Sequence, residues 1–144
     1  MTSSDSEAGM SVTRNGTPIV LDTSALLAWL LGETGADVVR EAIGPRAVVS
    51  AANWAELARK VSDKGIDWPQ LRNALVALGL NVEPVTAADA ETSATIGERG
   101  DGLSLGDRLC IAVGRRLNCN VLTADTAWTQ LPGVVLIRRG AGRP

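Results

Sequence analysis

Five short segments of the chain are apolar at nearly every position, and patterns typical of helices separate them. A strand with one face in water alternates apolar and polar residues, whereas a continuously apolar strand is typical of a parallel sheet covered on both faces. Strands that alternate with helices indicate an α/β fold with right-handed crossovers. We therefore predict a three-layer α/β/α sandwich around a central parallel sheet. The predicted strands are residues 18–21, 47–49, 81–85, 120–122 and 134–137.

Helix signals occupy the stretches between these strands. Four of the predicted helices follow a residue type that caps helix N-termini, namely Ser50, Asp67, Thr86 and Ser104. The predicted helices are residues 24–31, 35–43, 51–61, 69–79, 87–98 and 105–117. Because no repeat or internal linker interrupts this order, we expect one domain over residues 18–144.

Residues 1–17 are mostly polar and contain no basic region followed by an apolar run, so they do not resemble a secretory signal. We expect them to form a flexible N-terminal tail. No stretch of the sequence approaches the roughly 20 apolar residues that a membrane helix needs. We therefore expect a cytoplasmic protein that does not enter a membrane.

The absence of histidine excludes several catalytic designs. With no His in the chain, Ser-His-Asp and Cys-His catalysis and zinc sites that need His are ruled out. The two cysteines, Cys110 and Cys119, have no metal-ligand spacing with another Cys, and we expect buried free thiols. The net charge of −2 argues against binding nucleic acid through overall charge, although a local pair such as Arg115 and Arg116 could contact phosphates.

Acidic residues follow two of the apolar strands. Asp22 comes directly after the first predicted strand, and Asp125 lies just beyond the fourth, in the stretch NVLTADTAW. The carboxyl ends of parallel strands meet at one edge of an open α/β sheet, and ligands bind there. If these two strands are neighbours, both carboxylates reach that edge. Either acid alone is equally compatible with a turn residue or a helix cap.

Two further acids lie on predicted helices. Asp107 is in the first turn of a helix that is apolar on most sides, which places it near the core, but it could also form a capping box with Ser104. Glu56 lies opposite the apolar stripe of its helix, and periodicity favours a solvated side chain paired with Lys60. The spacing alone leaves the role of both acids open.

Several stretches together resemble the PIN-domain ribonucleases, and specifically the VapC-type toxins of bacterial toxin–antitoxin pairs. They cover residues 19–138 and read IVLDTSALLAWLLGE, VVSAANWAELARKVSDKG, LSLGDRLCIAVGRRLNCNVLTADTAW and VVLIR. A lone LDTSA would be weak support. The third stretch is specific, because it joins Leu-Ser-x-x-Asp-Arg to Thr-x-Asp at the family's separation.

The resemblance implies a function and a site. The family's acidic residues fall on Asp22, Glu56, Asp107 and Asp125. Hydroxyl support would come from Thr23 or Ser24, Ser104 and Thr123. The family also implies an RNA substrate, a homodimer, and inhibition by a cognate antitoxin protein.

Four carboxylates without nitrogen or sulfur donors favour a hard cation, Mg²⁺ or Mn²⁺. Asp22, Asp107 and Asp125 would hold the metal directly, while Glu56 would bind it through water or position the nucleophile. Since no histidine can activate an RNA 2′-hydroxyl, we expect metal-activated water to attack the phosphodiester. This hydrolysis would leave 5′-phosphate and 3′-hydroxyl ends.

Two other classes of protein stay open. A non-catalytic α/β module that binds a metal or a partner would keep the acids for folding. A phosphotransfer enzyme also gathers acids at strand ends, but Ser24 stands where a haloacid-dehalogenase-type phosphatase needs its second Asp. Arg108 is expected in a salt bridge or in solvent more often than on phosphate. Trp29 and Trp128 are expected in the core or at a dimer interface.

Overall fold

The computed structural model describes residues 16–138, which contain one five-stranded sheet. Its strands are β1 (Ile19–Leu21), β2 (Ala47–Ser50), β3 (Asn81–Glu83), β4 (Val121–Thr123) and β5 (Val134–Leu136). They lie in the order β3-β2-β1-β4-β5, and every neighbouring pair is parallel. The predicted parallel sheet is therefore confirmed. The tail expected at residues 1–17 lies largely outside the described residues.

Helices connect the strands. They are α1 (Thr23–Leu31), α2 (Ala36–Ala42), α3 (Ala51–Asp63), α4 (Trp68–Ala77), α5 (Ala87–Ser93) and α6 (Leu105–Arg116), followed by a 3₁₀ turn (Thr126–Trp128). The side chains of Ser50, Asp67, Thr86 and Ser104 each accept a backbone N–H from the first helical turn, so the four predicted caps are confirmed. Within residues 16–138, no helix combines the length and apolar character needed to cross a membrane.

The third predicted strand and the fifth predicted helix both extend beyond the ends that they have in the structure. The third strand ends at Glu83 rather than at residue 85, and Pro84, which follows it, has no N–H to continue the ladder. The fifth helix ends at Ser93 rather than at residue 98. The carboxylate of Asp101 accepts the N–H groups of Glu98 and Leu103 at 2.7 and 2.9 Å, which holds the following segment as a loop.

The sheet separates two apolar cores. Val20 of β1 faces α6, where it packs in a cluster with Ile111 and Trp128, while Leu21 faces α1 to α4 on the opposite side. Because successive strand residues point to opposite faces, this division confirms the three-layer sandwich. The side chain of Trp128 is fully buried, as predicted, and Trp29 packs against the edge of the larger core.

Arg116 at the end of α6 joins three elements. Its guanidinium donates to both carboxylate oxygens of Asp89 on α5, at 2.9 and 3.0 Å. It also donates to the carboxylate of Glu83 on β3 at 2.9 Å and to the carbonyl of Pro84 at 3.0 Å. Asp89 is only 2% exposed, so its charge depends on this partner. This arginine therefore has a structural role in the described fold.

Replacing Arg116 with Ala should lower the free energy of unfolding by about 2–3 kcal/mol, because a buried carboxylate loses its ion pair. Chemical denaturation would measure the change. The matched control is Arg115→Ala at the exposed preceding position, which should change stability by less than about 0.5 kcal/mol. Similar losses for both variants would contradict the role assigned to Arg116.

Candidate active site

Strands β1 and β4 are neighbours, and they end at the same edge of the sheet. Val20 pairs with Val121 and Leu21 with Leu122, and the N–H of Asp22 donates to the carbonyl of Leu122 at 3.1 Å. We call this side, beyond Leu21 and Thr123, the carboxyl edge. The sequence predicted that Asp22 and Asp125 would share one edge of the sheet if their two strands were neighbours, and the strands are neighbours.

Asp22 is the most deeply placed acid of the carboxyl edge, with 3% of its surface exposed. It caps α1, since its Oδ1 accepts the N–H of Ala25 at 2.7 Å. The hydroxyl of Ser24 donates to the same carboxylate at 2.8 Å, and the hydroxyl of Thr123 donates to Oδ2 at 2.6 Å. Two of the predicted supporting hydroxyls therefore contact Asp22.

Burial raises the pKa of Asp22 to about 6, because a charged carboxylate loses solvation at this depth. The hydrogen bonds from Thr123, Ala25 and Ser24 act in the opposite direction, and the charge of Asp107 adds to the rise. An acid with such a pKa is sensitive to the charges placed next to it. Perturbed acids of this kind cluster at functional sites.

Two hydrogen bonds from the backbone to hydroxyl groups position Asp125. The N–H of Ala124 donates to the hydroxyl of Ser24 at 2.9 Å, and the N–H of Asp125 donates to the hydroxyl of Thr123 at 3.0 Å. These bonds fix the segment after β4 against the start of α1. Asp125 in turn accepts the N–H of Ala127 at 2.9 Å, which caps the 3₁₀ turn. Its other oxygen has no hydrogen bond within residues 16–138.

Glu56 reaches the carboxyl edge from α3. Its Oε1 accepts the hydroxyl of Thr23 at 2.7 Å and the side-chain amide of Asn53 at 2.8 Å. Its Oε2 lies against the first turn of α6, where a Cβ added at Gly106 would be only 2.4 Å away. No ion pair with Lys60 forms among the described residues, so the pairing that periodicity favoured is absent.

Asp107 combines the two roles that its spacing left open. It forms a capping box, in which its Oδ2 accepts the N–H of Ser104 at 2.9 Å and its own N–H donates to the Ser104 hydroxyl at 3.1 Å. Burial raises the pKa of Asp107, and the charges of Glu56 and Asp125 raise it further, against the hydrogen bonds from Ser104. The acid is therefore a cap that also faces the other carboxylates.

Cys110 lies behind this group. Burial raises the pKa of its thiol well above the ordinary value, and the charges of Asp22, Asp107 and Glu56 add to the effect.

Four segments that are distant in sequence thus bring acids to one side of the sheet. Within the described residues, however, no three Cys, Asp or Glu side chains already stand at metal-ligating distances.

Sequence reasoning missed Asn53. Of the two roles that it gave to Ser104, the capping box with Asp107 is the one seen in the structure. Asn53 is 1% exposed and binds Glu56, and the only available signal was its position three residues earlier on the same helix. The Ser104 hydroxyl accepts the backbone N–H of Asp107, and it makes no bond to a carboxylate in the described structure.

Arg108 follows Asp107, and contacts within the protein occupy its guanidinium, so the structure does not favour a phosphate-binding role. Its guanidinium donates to the carbonyls of Ile96 and Leu103 and forms a 3.0 Å ion pair with Asp101. These contacts hold the loop between α5 and α6. Arg108 is thus salt-bridged, in agreement with the prediction.

Comparison with known proteins places the chain in a family. The model of the PIN domain matches residues 19–134. A VapC ribonuclease of Mycobacterium bovis is 33% identical, over 67% of this chain and 82% of that relative.

Solved structures agree in fold. A toxin–antitoxin complex from Klebsiella pneumoniae superimposes with a TM-score of 0.69 at 22% identity, over 83% of this chain and 97% of that one. VapC20 of Mycobacterium tuberculosis, a sarcin-ricin loop cleaving toxin, gives a TM-score of 0.64 at 22% identity, over 81% and 96%. This chain belongs to the PIN-domain family, in its VapC ribonuclease branch.

Proposed function

We propose that this protein is a metal-dependent endoribonuclease that acts as the toxin of a toxin–antitoxin pair. The observation that carries the proposal is the convergence of acids from four separate segments on the carboxyl edge, with Asp22 buried among them. The VapC relatives supply the substrate class, RNA. The proposed site residues are Asp22, Glu56, Asp107 and Asp125.

The chemical type of the candidate ligand atoms fits a divalent cation. All the candidate ligands are carboxylate or hydroxyl oxygens, which suit Mg²⁺ or Mn²⁺ better than zinc. Asp22, Asp107 and Asp125 would hold the ion. Asp107 and Asp125 each keep one oxygen without a hydrogen bond in the described structure. Because no three acids are already grouped at ligand distances, binding has to draw the carboxylates together.

A bound divalent cation would supply charge stabilisation for the phosphodiester and make water more acidic. The chain's own residues would then divide the remaining tasks. Glu56, whose Oε1 is anchored and whose Oε2 is not, would orient the attacking water and take its proton. The water oxygen would bond to phosphorus as the bond to the 3′-oxygen breaks, and the leaving 3′-oxygen would take up a proton from solvent. Glu56 would return the proton of the attacking water to solvent, and the products would carry 5′-phosphate and 3′-hydroxyl ends.

The purified protein should cleave single-stranded RNA with Mg²⁺ or Mn²⁺ and lose the activity in chelator. Asp107→Asn and Glu56→Gln should each reduce the rate by about 100-fold or more, since each removes a charge that acts on the reacting groups. Asp37→Asn, at an exposed position on α2, is the matched control and should cleave normally.

Two results would contradict the proposal. Cleavage that survives Asp22→Asn would favour a non-catalytic role for the acids. Products with 2′,3′-cyclic phosphate ends would exclude water as the nucleophile.

In chelator, Asp22→Asn should stabilise the protein at pH 7–8. The ordinary pKa of an Asp side chain is 3.8, the value expected in the unfolded chain, and burial raises the pKa of Asp22 to about 6 in the folded protein. The folded state therefore keeps this carboxyl protonated up to a higher pH than the unfolded state does. Stability from this group is therefore present at pH 4 and is lost as the pH rises through 6. The free energy of unfolding of Asp22→Asn, relative to that of the unsubstituted protein, should therefore increase by about 2–3 kcal/mol between pH 4 and pH 8.

Denaturation curves of both proteins across this pH range would measure the difference. A constant difference from pH 4 to pH 8 would contradict the perturbed pKa. Added Mg²⁺ or Mn²⁺ should then raise the melting temperature of the unsubstituted protein at pH 8 and leave Asp22→Asn unchanged.

A cognate antitoxin and a homodimer complete the proposal. A cavity of about 650 Å³ opens beside Asp125 and Ser24, and Leu27, Lys60 and Arg138 contribute to its walls. A protein segment bound there would cover the approach to the acids. Exposed apolar side chains elsewhere, such as Val76, offer surface for self-association.

Induced expression in a bacterial host should stop growth, and co-expression of the cognate antitoxin should restore it. Asp107→Asn is the control and should not stop growth. Light scattering of the purified protein would test the dimer. Normal growth on induction of a soluble, correctly folded protein would contradict the toxin role.

A further inference from the structure

We propose that Asn53 is a positioning residue for the proposed nuclease function, because its side-chain amide fixes the carboxylate of Glu56. The two residues lie three positions apart on α3, so their side chains share one helix face. The inference rests on the role proposed for Glu56 and adds the group that aims it.

Two donors converge on a single oxygen of Glu56. The Nδ2 of Asn53 donates to Oε1 at 2.8 Å, and the hydroxyl of Thr23 donates to the same atom at 2.7 Å. Both donors are buried, with 1% of Asn53 and 6% of Thr23 exposed. Together they saturate Oε1 and leave Oε2 as the oxygen that is free to act at the carboxyl edge.

Asn53 has little other reason to be polar. Its Oδ1 is buried and has no hydrogen-bond partner among residues 16–138. An unpaired buried carbonyl lowers stability, and Asn is a weaker helix former than Leu. Its backbone N–H donates to Ser50, and its carbonyl lies 3.2 Å from the Thr23 hydroxyl, whose one hydrogen it shares with the closer Oε1 of Glu56; neither contact depends on the side chain. The bond to Glu56 is therefore what the amide contributes.

Gly106 bounds Glu56 on the opposite side. A Cβ at this position would lie 2.4 Å from Oε2 and 2.9 Å from Cδ of Glu56, so the carboxylate occupies space that only glycine leaves open. Gly106 precedes Asp107 in the first turn of α6. The amide of Asn53 and the bare backbone of Gly106 thus hold Glu56 next to the other acids.

The test compares Asn53→Leu with the unsubstituted full-length protein in steady-state cleavage of an RNA oligonucleotide with Mn²⁺. The expected result is a melting temperature that is unchanged or higher, a kcat reduced by about tenfold or more, and an unchanged KM. Val61→Ala, a core change on the same helix, is the control, and it should lower the melting temperature and leave kcat unchanged well below melting.

Glu56→Gln separates the two proposals. If Glu56→Gln cleaves normally, the proposed role of Glu56 fails and Asn53 has nothing to position. If Glu56→Gln is inactive while Asn53→Leu keeps its full kcat, the proposed function stands and the role of Asn53 is overturned. A kcat that falls only in proportion to lost folded protein, as measured by melting, would also overturn it.

Gly106→Ala provides a second route if Asn53→Leu does not fold. Alanine favours a helix, which offsets part of the cost of moving the Glu56 carboxylate that its methyl group displaces, so we expect the variant to fold. We expect the same loss of kcat. Full activity would overturn the proposal. Gly44→Ala, where an added Cβ meets nothing within 4 Å, is the matched control.

Discussion

The pairing of β1 with β4 is the constraint from which the rest of the site follows. Parallel register between Leu21 and Leu122 brings the ends of both strands side by side, and the next residues are Asp22 and Thr123. Their side chains meet in a 2.6 Å hydrogen bond in the interior. A slip of one residue would turn this pair to the other face of the sheet, so the apolar pattern that sets the register also sets the chemistry.

Three of the four acids also serve as caps at helix N-termini. Asp22 caps α1, Asp107 completes the capping box of α6, and Asp125 caps the 3₁₀ turn. Backbone N–H groups and the positive end of a helix dipole stabilise negative charge at such positions. The protein thereby offsets part of the repulsion among neighbouring carboxylates with its own backbone. Glu56 lacks a cap of this kind and is held instead by Asn53 and Thr23.

The sequence was sufficient for the sheet and for the acids at its edge, because both follow from local pattern. Continuous apolar strands predicted the parallel sheet, and acids after two strands predicted a shared edge. Glu56 shows where the pattern stops being informative. It lies opposite the apolar stripe of α3, yet it faces α6 rather than solvent, since the first turn of α6 packs over it. The periodicity of α3 cannot distinguish these outcomes. The family resemblance placed Glu56 with the other acids, and the contact with Gly106 is what covers it in the structure.

The segments that meet at the carboxyl edge span most of the chain, from Asp22 to Asp125, and strand β4, the neighbour of the central strand β1, is made late. During translation, a nascent chain that has not yet emerged beyond Thr123 lacks the neighbour of β1 and the hydroxyl that holds Asp22. Such a nascent chain cannot assemble the acidic cluster. A fold of this topology therefore delays any activity of the cluster until the segment from Thr123 to Asp125 has been made and has left the ribosome.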